Sequence, residues 1–282
     1  MNKFLKKNNY IISILFFPFI YLLGWLIISI LIYPFPNFYS NKSLYGTIFT
    51  FLIFLISLPK WCKYKWGQNL FQIIGINKFK EKKLLYLLVL EFLKSLFIIL
   101  LICLFAVLGG YATFVYKFNY SLFLNSIFLG LLVGFAEELV FRVWLFEELN
   151  LFFKEKYANL IQAFIFSLVH IRFDTNFVSN AQLLLGLFFL GLYLNQWRQT
   201  NFKSIYLPIC FHASIVSLWF LISTSFINIQ TNIPKILFGP GEGIQINPIG
   251  GIFGILMIFV LLFFKDFKSQ KLIPRKLINL KL

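Results

Sequence analysis

The chain contains few charged residues. Aspartate, glutamate, lysine and arginine together make up 13% of its 282 residues, whereas a soluble globular domain has about 25%. Hydrophobic residues reach 60% and form long blocks, such as residues 10–33, which carry no charge at all. About 20 apolar residues cross the hydrocarbon core of a bilayer as a helix. The composition therefore excludes a soluble domain and predicts an integral membrane protein.

Cysteine and several familiar motifs are also scarce. Cys62, Cys103 and Cys210 are widely spaced and form no CxxC pair, which argues against a disulfide framework or a cysteine metal site. The sequence has no HExxH metalloprotease motif. The glycine-rich segment 239–243 lacks the GK[ST] of a phosphate loop, so we interpret it as an external turn before the last hydrophobic segment.

Eight hydrophobic segments predict an all-α integral membrane protein with about eight transmembrane helices. The first segment is longer than the apolar part of a cleavable signal peptide and contains Trp25, which favours a retained span. The segments cover roughly residues 10–33, 44–59, 84–109, 121–146, 157–172, 181–196, 204–226 and 249–264.

The chain has a formal net charge of +16, which in a soluble protein would suggest nucleic-acid binding. The segments that connect the predicted helices alternate between the two sides of the membrane. The segments on one side hold 20 of the 26 lysines and arginines, and those on the other side hold four. Because cytoplasmic loops carry the excess of these cations, both termini are predicted to be cytoplasmic. We expect a multi-pass protein of a cytoplasmic-type or thylakoid-type membrane, with the lipid bilayer as partner and no nucleic acid.

Ionisable residues inside hydrophobic segments are costly, and their default interpretation is functional. Glu91 and Lys94 are three residues apart on one helix face, where opposite charges pair. We therefore interpret these two as a structural ion pair. Asp174, two residues from Arg172, is interpreted as a loop ion pair.

The segment 134–142 reads GFAEELVFR and holds two adjacent carboxylates. Glu138 and Arg142 are four residues apart and share a helix face, so they are predicted to form an ion pair. Glu137 is turned about 100° away on the same helix. Its carboxylate is therefore available for another role.

Both histidines of the chain are predicted to lie near Glu137. Glu137 lies about 15 residues before the turn at 149–156, and His170 about 15 after it, so the two reach similar depth in a helical hairpin. His212 lies about ten residues into its own helix. A single buried histidine is usually a satisfied core residue, but this convergence favours a functional site.

These residues form three motifs in order along the chain. They are EELVFR at 137–142, FSLVH at 166–170 and HASIV at 212–216. The pattern resembles the CAAX prenyl endopeptidase and bacteriocin-processing (CPBP, or Abi) family of intramembrane proteases, whose motifs are EExxxR, FxxxH and HxxxN. The resemblance implies a catalytic core in 121–226, preceded by membrane helices in 1–120 and followed by a loop, a last helix and a basic tail in 227–282.

The resemblance implies a role for each motif residue. Glu137 would be the general base that activates a water, His170 would position or polarise that water, and His212 would stabilise the oxyanion. Glu138 and Arg142 would be the supporting ion pair. Glu137, His170 and His212 also match the ligand set of a His₂Glu zinc site, but we favour a metal-free mechanism.

One position departs from the family pattern. The third motif ends in Val216 where the family has asparagine, and valine cannot donate a hydrogen bond. The first hypothesis is an intramembrane endopeptidase that acts on a membrane-associated protein or peptide. The alternative is a catalytically weakened member with a binding, immunity or scaffolding role. A transporter with a proton relay would show inverted repeats or broken helices, and neither is evident.

Overall fold

The structure, a computed structural model, describes residues 10–75, 81–173, 175–201 and 203–272. Asp174, interpreted above as half of a loop ion pair, lies outside the described residues. The same holds for the basic segments 1–9 and 273–282.

The described chain is mainly helical, as its long apolar segments predict. A π-helical turn, Cys62–Trp66, extends the second helix, and a longer π-helical segment, Glu138–Leu145, continues the fifth. The helices are α1 (Tyr10–Ile32), α2 (Lys42–Trp61), α3 (Leu70–Ile73), α4 (Glu81–Leu108), α5 (Tyr120–Glu137), α6 (Phe146–Leu149), α7 (Glu155–Leu168), α8 (Phe177–Thr200), α9 (Tyr206–Ser225), α10 (Lys235–Phe238) and α11 (Ile252–Leu272).

The described residues contain six helical segments that are long and apolar enough to cross a membrane. The segments comprise α1, α2 with its flanking turns, α4, α5 continued through α6, α8 and α9. The all-α membrane architecture is thus confirmed. The count of eight spans and the cytoplasmic placement of both termini stay predictions.

The predicted helix 157–172 ends earlier than expected. Helix α7 stops at Leu168 and has 14 residues, about 21 Å at 1.5 Å per residue, which is short of the roughly 30 Å of a hydrocarbon core. The backbone turns because the Arg172 N–H donates to Oδ1 of Asn180 at 2.9 Å. His170 therefore lies in the turn after the helix and not within it.

The fold includes one small departure from a purely helical chain. Strands β1 (Ala112–Phe114) and β2 (Ile227–Ile229) pair antiparallel. The two strands follow α4 and α9, so the ribbon ties the ends of these helices together.

Helix α9 is the central helix of the bundle. Half of its span is buried (50%), against 17% of the α1 span, and it packs against α5, α4 and α8. Gly130 and Gly134 on α5 allow the closest approach: a Cβ at Gly134 would lie 2.9 Å from the backbone nitrogen of Ala213. Small residues commonly permit such contacts between membrane helices. This contact sets the distance between the motif residues of α5 and those of α9.

We expect Gly130→Val to destabilise the protein by about 1–3 kcal/mol, because overpacking forces the backbones of α5 and α9 apart. A Cβ at this position would lie 2.4 Å from the carbonyl oxygen of Ala213. Thermal unfolding in detergent micelles measures the effect. Leu131→Val is the matched control, since Leu131 is 50% exposed on the same helix; equal unfolding midpoints for the two variants would contradict the expectation.

The predicted Glu91–Lys94 pair is confirmed. Nζ of Lys94 lies 2.5 Å from Oε1 of Glu91, and the hydroxyl of Tyr193 on α8 donates to Oε2 at 3.0 Å. Two charges and a hydroxyl therefore satisfy one another and join α4 to α8. This cluster is structural.

Candidate active site

Glu137 and Glu138 are neighbours in sequence but have different surroundings. Glu137 is the last residue of α5, and Glu138 is the first of the π-helical segment, a feature that often marks functional sites. The Glu138 side chain is fully buried, whereas 26% of the Glu137 side chain is exposed. The Glu138 side chain is thus enclosed by protein, whereas the Glu137 side chain is partly accessible, although its Oε2 is buried.

Glu138 holds two other motif residues in place. Its Oε2 lies 3.2 Å from Nε of Arg142, the ion pair that the four-residue spacing predicts. Its Oε1 accepts a hydrogen bond from Nδ1 of His212 at 2.9 Å, a contact that the sequence did not reveal. The guanidinium of Arg142 also lies 4.1 Å from the centre of the Phe166 ring, a cation–π contact. All three motifs therefore meet around the buried Glu138–Arg142 pair.

Both histidines are oriented through Nδ1. In His170 this nitrogen contacts the carbonyl oxygen of Phe166 at 2.7 Å, and because a carbonyl can only accept, Nδ1 carries the proton. In His212 the same nitrogen faces the carboxylate of Glu138. Each ring therefore turns its Nε2 towards Glu137.

The structure brings the three candidate catalytic residues together. Nε2 of His170 lies 3.7 Å from Oε1 of Glu137, and Nε2 of His212 lies 3.7 Å from Oε2. These distances exceed that of a direct hydrogen bond. The Glu137 carboxylate therefore lies between two nitrogens and forms a direct hydrogen bond with neither.

A cavity of about 600 Å³ opens from these residues, within the size range of ligand-binding pockets. Val216, the departure from the third motif, faces this cavity together with Glu137 and both histidines. Most of the wall is apolar and includes Leu129, Val133, Ile215, Trp219, Phe220 and Ile246. The cavity is therefore mainly apolar, with polar side chains from Glu137, His170, Arg172, His212, Gln245 and Asn247.

The segment before α11 forms one side of the cavity, a role that the sequence reasoning missed. Gln245 and Asn247 line the cavity, as does Arg172 from the turn after α7. Nη1 of Arg172 donates to the carbonyl oxygen of Gln245 at 3.2 Å. The segment 239–243, interpreted above as a simple external turn, leads into this wall. No local pattern links residues about 70 positions apart, so the sequence offered no signal.

A second apolar groove, of about 690 Å³, lies beside the cavity. Arg172 lines both. The groove walls include Phe164, Ile171, Phe173, Phe177, Leu184 and Phe188. An apolar chain that enters the cavity thus has a second apolar surface next to it.

The zinc alternative does not fit the side-chain geometry. Within the ranges that the structure describes, no three His, Cys, Asp or Glu side chains form a metal-binding group. The two histidines approach different oxygens of Glu137. No step below is therefore derived through a metal.

Two family models match the chain. Residues 2–70 match a domain of unknown function, DUF8676, and residues 119–218 match type II CAAX prenyl endopeptidase Rce1-like. No curated protein matches the chain at a significant level. The second match spans all three motifs, from Glu137 to Val216, and confirms the resemblance described above. Residues 119–218 therefore match the Rce1-like type II CAAX prenyl endopeptidase domain, which is consistent with a protease of the CPBP family.

Proposed function

We propose that this protein is an intramembrane endopeptidase that hydrolyses a peptide bond of a membrane-associated protein or peptide. The observation that carries the proposal is the position of the Glu137 carboxylate between the Nε2 atoms of His170 and His212, 3.7 Å from each. A water or a reacting group bridges polar atoms at such a separation. The family match supports the same class of reaction.

In the proposed first step, Glu137 removes a proton from a water molecule. The water oxygen forms a bond to the carbonyl carbon of the substrate, and the carbonyl electron pair moves to its oxygen. Nε2 of a neutral His170 accepts a hydrogen bond from the other hydrogen of that water, which stays on the oxygen, since the proton of the ring is on Nδ1 and bonds to the Phe166 carbonyl. General-base catalysis of this kind contributes about 10²–10⁴-fold.

In the second step, the tetrahedral intermediate breaks its carbon–nitrogen bond. Glu137 returns the proton to the leaving nitrogen, and the oxyanion electron pair re-forms the carbonyl as the carbon–nitrogen bond breaks. The products are a carboxylic acid and an amine, and the acid then passes its proton to the amine. His212 stabilises the oxyanion when its ring carries a proton on both nitrogens. Glu138 orients the ring, because its carboxylate accepts from Nδ1 of His212. Glu138 is thus a positioning residue for His212 as well as the partner of Arg142.

The apolar walls favour an apolar substrate segment. The mainly apolar side chains around the carboxylate lower the polarity of the site, which strengthens electrostatic stabilisation there. The adjacent groove at Arg172 extends the apolar surface. A membrane-associated peptide fits this environment better than a soluble, charged one.

We expect His170→Ala to lower cleavage about 10²-fold, because the water loses the group that orients it. The assay uses the full chain reconstituted in liposomes with a library of internally quenched peptides that carry a palmitoyl anchor. Glu155→Gln is the control, since Glu155 is exposed at the opposite end of α7. A folded His170→Ala variant with wild-type cleavage would remove His170 from the mechanism.

A second candidate function is a binding role with weakened or no proteolysis, as in an immunity or scaffolding protein. The observation that favours it is Val216, which lines the cavity without a hydrogen-bond donor. Val216→Asn discriminates between the two functions. If that variant cleaves peptides no faster than the wild type and still binds its partner, the result would favour the binding role.

A further inference from the structure

The wall of the cavity at Val216 lacks a hydrogen-bond donor. Val216 lies one helical turn after His212 on α9 and lines the cavity with it. When a peptide bond is attacked, its carbonyl oxygen becomes negative, and donors aimed at that oxygen are worth roughly 2.7–4 kcal/mol each. A second donor, if the protein has one, must come from elsewhere in the wall.

The serines on either side of Val216 do not take this place. A Cβ at Gly130 would lie 2.0 Å from Oγ of Ser217, so this hydroxyl points into the contact between α9 and α5. Ser214 lies beside the thiol of Cys210. Neither serine contributes to the described wall of the cavity.

Asn247 provides a polar side chain to the lining of the same cavity. Its Oδ1 accepts a hydrogen bond from the N–H of Ile249 at 3.1 Å, which fixes the orientation of the amide. An asparagine amide has two further N–H donors on Nδ2. No residue in the described ranges accepts from that nitrogen, so both donors are available to a molecule in the cavity.

The backbone around Asn247 is held by close contacts. Gly239 has a φ of 111°, and a Cβ there would lie 1.9 Å from the carbonyl oxygen of Asn247. On α8, a Cβ at Gly186 would lie 2.1 Å from the carbonyl oxygen of Ile249. The Asn247 N–H donates to the carbonyl oxygen of Pro240 at 2.9 Å. The amide is therefore preorganised, the condition under which a donor stabilises a transition state most effectively.

We infer that Asn247 is a catalytic residue of this chain, whose Nδ2–H donates to the oxyanion in place of the donor that Val216 cannot supply. The inference rests on the proposed function and deepens it. The scissile carbonyl would then receive hydrogen bonds from both His212 and Asn247, which line the same cavity. The segment before α11 would then be part of the active site although it lies beyond residues 119–218.

The decisive variant is Asn247→Asp. It keeps an oxygen that can accept from the Ile249 N–H, so the turn is retained, but it removes the donor. We expect kcat to fall about 10²–10³-fold with little change in KM, since the lost interaction forms only in the transition state. Cleavage of the palmitoyl-anchored quenched peptides by the full chain in liposomes gives both constants. Glu242→Gln is the control, because Glu242 is 71% exposed on the same segment.

A rescue experiment shows whether Asn247 acts as a hydrogen-bond donor or only supports the structure. Adding Val216→Asn to Asn247→Ala returns an amide to the cavity and is expected to recover at least tenfold of the lost kcat. Full kcat in Asn247→Asp would overturn the inference. A second result would also overturn it. In that result, Asn247→Ala lowers both kcat and the unfolding midpoint, and Val216→Asn does not restore kcat.

The outcome for Asn247 is distinguishable from that for the proposed function. If Glu137→Gln abolishes cleavage while Asn247→Asp cleaves normally, the inference is wrong and the endopeptidase function stands. If Glu137→Gln cleaves like the wild type, the proposed function is wrong, and the role of Asn247 falls with it.

Discussion

Glu137→Gln is expected to lower cleavage about 10⁴-fold, the upper end of general-base catalysis, while the protein remains folded. Glutamine has the same shape but cannot take a proton from water. The contacts of the Glu137 side chain with His170 and His212 are long, at 3.7 Å each, and the nearby Arg142 is paired with Glu138. The unfolding midpoint is therefore expected to stay near that of the wild type.

The measurement pairs the liposome cleavage assay with thermal unfolding of the same preparation. Because Glu137 acts on the attacking water, the loss should appear in kcat more than in KM. Glu155→Gln serves again as the control for the removal of one carboxylate. A well-folded Glu137→Gln protein with undiminished kcat would eliminate the proposed mechanism.

Contacts within one helix could be predicted from the sequence. Residue spacing alone indicated the Glu138–Arg142 and Glu91–Lys94 pairs, because positions three or four apart share a helix face. The depth argument also placed Glu137 and His170 near each other, although His170 lies after the end of α7. These inferences needed only the helix repeat and the position of one turn.

Contacts between distant segments could not be predicted in this way. The bond from His212 to Glu138 depends on how closely α9 approaches α5, which Gly130 and Gly134 set through tertiary packing. The early end of α7 depends on Asn180, which accepts from the Arg172 N–H. A hydropathy window averages the apolar character of neighbouring residues and does not detect such a side-chain contact. The predicted helix therefore continues past its true end.

The contribution of Asn247 depends on the same kind of contact. In the sequence it follows a glycine-rich segment and has no charged or motif neighbour that marks a site. Its position in the cavity results from glycines on two different segments, Gly186 and Gly239, that let the backbone approach closely. Only the folded chain brings it into the same cavity as Val216.

Removal of either partner of the Glu138–Arg142 pair is expected to destabilise the protein by about 3–5 kcal/mol, because the remaining charge is buried and unpaired. Both side chains are fully buried. Glu138→Leu and Arg142→Met test the two directions. Thermal or denaturant unfolding in micelles gives the change, and Glu242→Gln is the control, since its exposed pair with Lys235 contributes little.

The double variant Glu138→Leu/Arg142→Met should be more stable than either single variant, since replacement of a buried ion pair by apolar residues is often neutral or stabilising. Additive losses would contradict the coupling of the two charges. Cleavage should not return with stability, because Nδ1 of His212 donates to Glu138 and loses its acceptor in the double variant. A stable but inactive double variant would thus separate the two tasks of Glu138: it neutralises Arg142 in the core, and it orients His212 at the site.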